Sequence, residues 1–221
     1  MKEKLAIALD TSDCETAMNW ARACEGVFGY AKVGLELFFA VGPSVVGSLK
    51  ELGFQVFLDV KLHDIPNTVY RSAKLLAGFG VDLITVHSDG GIAMLQAALQ
   101  GVQDSTSGFD TKIVAVTKLT SDKVVDPTDF NSRIDLIIRS GVEGFVSSAY
   151  EVSLIKGRKS TLFAIVPGIR LAGDEAFDQE RIATPSFALA QGADLLVIGR
   201  SITSASNTDK ALDALVAELA Q

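Results

Sequence analysis

The sequence predicts a single-domain (β/α)8 barrel, the TIM-barrel class of α/β protein, over residues 1–221. Two observations predict it: short apolar runs alternate with helix-like segments eight times, and no antiparallel hairpin signal joins two runs. Strands that alternate with helices form a parallel sheet covered by helices. Eight repeats in 221 residues favour a closed barrel over the alternative, a doubly wound open sheet.

The predicted strands are short runs rich in β-branched and large apolar residues. They span Leu5–Asp10, Tyr30–Leu35, Phe54–Lys61, Leu83–Ser88, Lys112–Leu119, Gly144–Ala149, Leu162–Ile169 and Leu195–Gly199. The clearest helical patterns are Cys14–Ala23, Asn67–Phe79, Ile92–Gln103, Asp129–Ser140 and Lys210–Leu219. Gly80, Gly141 and Gly192 each stand between a helix and the next strand, where a left-handed cap is expected.

The composition is that of a soluble globular protein, with 48% apolar and 21% charged residues. No apolar stretch approaches the ~18–20 residues of a membrane span, and no secretion signal precedes the first strand, so we expect a cytoplasmic protein without a membrane partner. The net charge of −7 and the lack of a basic run argue against nucleic acid as a partner.

The two cysteines, Cys14 and Cys24, fall within the first helical pattern. Ten residues on one helix span ~15 Å, too far for a disulfide, so reduced thiols are expected. Two cysteines and two histidines far apart in sequence also make a zinc site unfavourable, and no metal site is predicted. The histidines, His63 and His87, are interpreted as structural residues, and His87 as a hydrogen-bonded one.

Charged residues end the third predicted strand, which is otherwise apolar. Asp59 and Lys61 are two residues apart and therefore share a face of the strand, and Asp64 follows before the helix that Pro66 would start. Charges at such a place are costly unless they pair with one another or with a ligand. The array is a candidate proton-transfer site, and a structural ion pair that caps the strand is the alternative.

Polar side chains recur at the carboxyl ends of the predicted strands, which form a single face in a barrel and carry its active site. They are Asp10, Lys32, Asp59, Lys61, Ser88, Thr120, Arg170 and Arg200. After strands seven and eight, Gly168 and Gly199 allow close approach of the backbone to an anion, and Arg170 and Arg200 add positive charge. Barrels frequently bind phosphate at this position.

The motif Asp59-x-Lys61-x-x-Asp64-Ile65-Pro66-x-Thr68 resembles the signature of the orotidine 5′-phosphate decarboxylases, the bacterial form in particular. The resemblance continues over the whole chain, in the family's order. The further motifs are Ala8-Leu9-Asp10, Lys32-Val33-Gly34, Val86-His87, Gly90-Gly91, Leu119-Thr120-Ser121, Pro167-Gly168-Ile169-Arg170, Asp178-Gln179-x-Arg181 and Ile198-Gly199-Arg200-Ser201-Ile202-Thr203.

The resemblance implies decarboxylation of orotidine 5′-monophosphate to UMP and CO2 without a cofactor. It makes Lys61 the proton donor, places Asp59 beside the substrate carboxylate, and adds Asp64 and Lys32 to an alternating Lys–Asp network. It also implies a homodimer in which Asp64 and Thr68 enter the neighbouring subunit's site.

The remaining site residues follow from the resemblance and are grouped by the part of the nucleotide that they contact. The ribose contacts are Asp10, Lys32 and Thr68. The phosphate contacts are Gln179, Gly199 and Arg200, with Arg170 added by its family position. Thr120 or Ser121 supplies donors to the pyrimidine, with Thr120 the better match.

Two other functions remain as alternatives. Mg²⁺-dependent phosphosugar enzymes of the same superfamily, such as hexulose-phosphate synthase or ketogulonate-phosphate decarboxylase, resemble the motif around Asp59 but have an acidic residue where Lys32 stands. A non-catalytic phosphate-binding barrel would require the charged array to be incidental. Lys32 and the Asp178-Gln179 segment favour the decarboxylase of pyrimidine synthesis.

Overall fold

The computed structural model describes residues 1–106, 110–118, 126–171 and 183–220. Eight parallel strands pair in chain order, and β8 pairs with β1 to close the barrel. The strands are β1 (Leu5–Ala8), β2 (Tyr30–Gly34), β3 (Gln55–Leu62), β4 (Leu83–His87), β5 (Lys112–Val116), β6 (Gly144–Val146), β7 (Phe163–Ile169) and β8 (Leu195–Ile198). The predicted barrel is confirmed, and the open sheet is excluded.

Helices follow the strands and cover the outside of the barrel. Those described are α1 (Cys14–Ala23), α2 (Leu35–Val41), α3 (Ser44–Glu51), α4 (Pro66–Gly78), α5 (Gly91–Gln103), α6 (Pro127–Ser140), α7 (Ala149–Arg158), α8 (Pro185–Ala190), α9 (Arg200–Thr203) and α10 (Thr208–Leu219). Pro66 is the first residue of α4, where its missing N–H has no helical partner to lose. The left-handed glycines are confirmed, with φ of 83° at Gly80, 87° at Gly141 and 98° at Gly192.

Some strands end earlier than their apolar runs. β6 ends at Val146 rather than Ala149, because the side chain of Ser148 and that of Glu151 cap the start of α7 and draw the chain into the helix. Leu9 and Ala149 are buried although neither belongs to a strand. The apolar residues of the sequence therefore predict which residues are buried, but they do not predict at which residue a strand ends.

The core has two layers, one inside the barrel and one between the strands and the helices. The interior layer contains Ala6, Ala8, Phe57, Leu83, Val114, Val116, Val146, Ile165, Leu195 and Val197. Residues at alternate strand positions, such as Ile7 and Leu58, pack against the helices instead. On β3 the interior row continues from Phe57 to the charged residues Asp59 and Lys61 at the carboxyl end of the strand.

Within the described residues both cysteines are free thiols, as predicted. Cys14 is exposed and Cys24 is buried. Burial raises the pKa of Cys24 to about 12, so this thiol stays protonated. No helix among these residues combines the length and the apolar character needed to cross a membrane.

Candidate active site

A cavity of about 560 Å³ opens at the carboxyl end of the barrel. Most of the residues predicted to form the site line it, although they come from five different strands. They are Asp10, Lys32, Asp59, Lys61, Gly168, Arg170, Gly199 and Arg200. The convergence follows from the parallel barrel, in which every strand delivers its carboxyl end to the same face.

An ion pair between Asp59 and Lys61 lies in this cavity. Nζ of Lys61 is 2.8 Å from Oδ2 of Asp59, and their side chains are 33% and 16% exposed, respectively. The pair is thus screened from solvent more than a surface salt bridge and remains open to a ligand in the cavity. It places an ammonium and a carboxylate side by side, as the shared strand face predicted.

The backbone of Lys61 is in the left-handed region, with φ of 48°, and it is the one non-glycine residue described with a positive φ. This conformation costs ~1–2 kcal/mol for a residue with a Cβ. Its N–H donates to the hydroxyl of Thr85 on β4 at 2.8 Å, and that hydroxyl donates to Oδ1 of Asp59 at 2.9 Å. Sequence reasoning missed Thr85, because threonine is an ordinary strand residue and its neighbours are apolar.

A second ion pair joins Asp10 on the first strand's loop to Lys32 on β2, with 2.5 Å between Nζ and Oδ1. Lys32 is nearly buried, whereas Asp10 is exposed. Among the described residues Lys32 makes its ion pair with Asp10 and none with Asp59. Lys32 and Lys61 are thus each paired with a different aspartate, and the predicted alternating network that adds Asp64 stays a prediction.

The carboxyl ends of β7 and β8 bring two arginines and two glycines to the cavity. The β7–β8 ladder shifts register between Val166 and Ile169, and Gly168 within this irregular stretch has φ of 75°. Arg170 is only 5% exposed, and its guanidinium donates to the carbonyl of Ile169 at 2.9 Å. A buried guanidinium beside an open cavity is suited to an anionic ligand.

The other predicted site residues lie elsewhere. Asp64 and Thr68 are exposed and do not line the cavity, and Oδ1 of Asp64 accepts from the N–H of Ile65 at 2.6 Å. Thr120 and Gln179 lie outside the described residues. So does Ser121, the alternative to Thr120.

The two histidines stack on each other beside the site, with ring centroids 5.6 Å apart and planes 29° apart. Neither lines the cavity. Nδ1 of His87 is buried without a hydrogen bond, 3.5 Å from a carboxylate oxygen of Asp89, so the expected hydrogen bond is absent at this atom. Burial lowers the pKa of His87, and the nearby Asp89 only partly opposes this effect.

A charged cluster that the sequence did not reveal borders the cavity at β5. Lys118, which lines the cavity, pairs with Asp129 at 2.6 Å, and Nε of Arg133 contacts the same carboxylate at 3.0 Å. Arg133 also pairs with Asp89 and donates to the carbonyl of Thr117. Hydrogen bonds from Lys118 and Arg133 lower the pKa of Asp129, which keeps this carboxylate ionised.

No cluster of three or more histidine, cysteine, aspartate or glutamate side chains that could hold a metal ion occurs in the described part of the chain. The barrel, its Asp–Lys pairs and its two arginines instead define a (β/α)8-barrel enzyme with a charged cavity at the carboxyl face.

The family model described as "Orotidine 5'-phosphate decarboxylase / HUMPS family" matches residues 3–215. The chain belongs to this family, as the resemblance predicted.

Curated relatives carry the same family name over nearly their full length. Orotidine 5'-phosphate decarboxylase of Carboxydothermus hydrogenoformans is 43% identical over 221 residues, which cover 94% of this chain and 92% of the relative. The enzyme of the same name from Cutibacterium acnes is 41% identical, with 95% and 93% covered.

Among solved structures, orotidine 5'-phosphate decarboxylase from Lactobacillus acidophilus superposes with a TM-score of 0.83 at 32% identity, over 99% of this chain and 100% of that one. An uncharacterized conserved protein from Geobacillus kaustophilus gives 0.81 at 36% identity, over 97% and 99%. The similarity thus extends over the whole barrel.

Proposed function

We propose that this protein decarboxylates orotidine 5′-monophosphate to UMP and CO2, the last step of de novo pyrimidine nucleotide synthesis, in the cytoplasm and without a cofactor. The observation that carries the proposal is the Asp59–Lys61 pair, 2.8 Å apart in the carboxyl-face cavity. The names of relatives such as the one from Carboxydothermus hydrogenoformans support the choice of substrate.

Lys61 is the proton donor in this proposal. Loss of CO2 from C6 of the pyrimidine leaves a vinyl-type carbanion that the ring does not delocalise well, so a nearby cation must stabilise it and then protonate it. The ammonium of Lys61 does both, and it becomes a neutral amine when the C6–H bond forms. Asp59 accepts from this ammonium and so orients it toward C6.

Asp59 also lies beside the substrate carboxylate in the proposed complex. Two neighbouring carboxylates repel one another, and departure of CO2 removes that repulsion. The hydroxyl of Thr85 and the ammonium of Lys61 donate to different oxygens of Asp59, which fixes the orientation of this carboxylate.

Binding of the remote phosphate supplies much of the remaining stabilisation. One preorganised group contributes about 3–4 kcal/mol, whereas rate enhancements reach ~23 kcal/mol, so Lys61 does not suffice alone. We assign the phosphate to Arg170, Gln179, Gly199 and Arg200. The energy of this contact, made far from C6, orders the charged groups around the reacting atoms.

The nucleoside is held by groups on other strands. The Asp10–Lys32 pair suits ribose hydroxyls, because the carboxylate accepts and the ammonium donates. Thr68 completes the ribose contacts, and Thr120 donates to the pyrimidine.

We further propose that the active unit is a homodimer with composite sites, to which Asp64 and Thr68 of each subunit contribute across the interface. Both residues are exposed and outside their own chain's cavity, which supports this assignment. Ile65, between them, is 66% exposed, and Phe39 on α2 is 78% exposed. Large apolar side chains at such exposure are suited to burial by a second copy of the chain.

The proposal is tested by following the ultraviolet absorbance of orotidine 5′-monophosphate with the protein in the presence of a chelator. Turnover that the chelator leaves unchanged supports it. Turnover that disappears with the chelator and returns with Mg²⁺ would contradict a reaction without a cofactor. Nucleotide binding without turnover would favour a non-catalytic phosphate-binding barrel.

A further inference from the structure

Thr85 is a buried polar residue beside the Asp59–Lys61 pair. It is fully buried on β4, on the same face as the interior residue Leu83. Its hydroxyl accepts the N–H of Lys61 at 2.8 Å and donates to Oδ1 of Asp59 at 2.9 Å. A hydroxyl has a single hydrogen, so donation to the carboxylate leaves its lone pairs for the N–H. One buried atom therefore holds both members of the ion pair.

The register of the sheet explains why a side chain is needed here. The ladder between β3 and β4 is regular up to Leu58 and resumes at Leu62, and over that interval β3 advances four residues while β4 advances two. Residues 59–61 therefore lie opposite Thr85 alone. The N–H of Lys61 receives from the Thr85 side chain the acceptor that a regular ladder would supply from a carbonyl.

The hydrogen bond between the N–H of Lys61 and the hydroxyl of Thr85 also helps to hold a strained backbone conformation. Its φ of 48° is unfavourable for a residue with a Cβ, and such strain persists only where the surrounding contacts enforce it. The hydrogen bond from its N–H is one of those contacts, and the 2.8 Å bond from Nζ to Asp59 is another. Without the hydroxyl, the backbone N–H of Lys61 loses its acceptor, and the strained conformation of Lys61 loses one of the contacts that stabilise it.

We infer that Thr85 is a positioning residue for the decarboxylation, because its hydroxyl sets the backbone of Lys61 and the carboxylate of Asp59 in one fixed arrangement. The inference rests on the proposed function. Thr85 does not line the cavity and touches no part of the ligand space, so it acts only through these two residues.

The test compares Thr85→Val, which keeps the shape and removes the hydroxyl, with Thr85→Ser, which keeps the hydroxyl. Misplacement of a catalytic group by a fraction of an ångström to an ångström lowers turnover by about tenfold to a hundredfold. We expect that loss in kcat for Thr85→Val, with KM and the affinity for UMP within about twofold of the unsubstituted protein. Thr85→Ser should recover kcat to within about threefold.

Thr111→Val is the matched control. Thr111 is also a buried threonine, and its hydroxyl donates to the carbonyl of Val81 at 2.6 Å, just before β5 at the opposite end of the barrel. Thr111→Val should lower the melting temperature about as much as Thr85→Val does and leave kcat unchanged. Thr85→Ala gives the same comparison if the valine variant does not fold.

The inference is overturned if folded Thr85→Val retains kcat within about twofold, or if Thr111→Val loses as much. Absence of turnover in the unsubstituted protein would instead refute the proposed function. A crystal structure of Thr85→Val then still tests the positioning claim. We expect loss of the positive φ at Lys61 or of its contact with Asp59, and retention of both would contradict the claim.

Discussion

Nζ of Lys61 lies 2.8 Å from Oδ2 of Asp59, two residues earlier on the same strand. In a regular strand these side chains share a face, and the irregular register of β3 against β4 brings them to the barrel mouth with Lys61 in a left-handed conformation. The pair is therefore built by the sheet itself and does not depend on a mobile loop. This rigidity suits the proposed role of Lys61, in which its ammonium protonates a short-lived carbanion at C6.

The assignment of Arg200 predicts a loss of affinity that depends on phosphate. Arg200→Ala should weaken binding of UMP by at least about a hundredfold and binding of uridine by less than about threefold, because the nucleoside has no group for the guanidinium to hold. Calorimetric titration of both ligands measures the difference. Arg158→Ala, which removes a surface ion pair with Asp135, is the control and should change neither affinity. Equal losses for UMP and uridine would mean that Arg200 supports the fold.

The fold was predictable because the barrel repeats one local pattern eight times, and strand alternation predicted that Asp59 and Lys61 lie close together. The contacts of Thr85 were not predictable, since they depend on a register shift between two strands. Strand ends were also missed, because Leu9 is as apolar and buried as a strand residue while lying beyond β1.

The pairing of Lys118 with Asp129 and of Arg133 with Asp89 was missed for a related reason. These residues come from a strand end, a helix and a loop that only the closed barrel brings together. Sequence periodicity assigns each of them to an element but does not say which charge faces which.

The proposed composite site predicts complementation between two inactive variants. A mixed dimer of Lys61→Ala and Asp64→Ala chains carries both defects in one site and neither in the other. With random exchange about half of the dimers are mixed, so about a quarter of the unsubstituted activity should return. Activity is measured after the two proteins are mixed and allowed to exchange. If exchange is demonstrated by mass and no activity returns, Asp64 serves its own chain.

Burial of His87 predicts a loss of stability toward acid. The pKa of this imidazole in the folded protein lies below its ordinary value of 6.5, chiefly because burial disfavours the charged form. As the pH falls below 6.5 the unfolded chain binds the proton first, so the free energy of unfolding decreases until the folded state also titrates.

Urea unfolding between pH 5 and 8, roughly the range in which histidine titrates, measures this effect. His87→Gln should show a smaller decrease toward acid than the unsubstituted protein. His63→Gln is the control, since His63 is exposed, and it should keep most of the decrease. Identical pH profiles for the unsubstituted protein and His87→Gln would contradict the assignment.

The central claim is that Lys61 protonates the C6 carbanion, and the most direct test is turnover of orotidine 5′-monophosphate by Lys61→Ala with a chelator present. Lys50→Ala is the control, because it also removes a lysine paired with an aspartate, Asp82, but at a place outside the cavity. We predict that Lys61→Ala lowers kcat by at least about a thousandfold while UMP binds within about tenfold of its normal affinity, because Lys61 acts mainly on the transition state. Near-normal kcat in the folded Lys61→Ala protein would contradict the account.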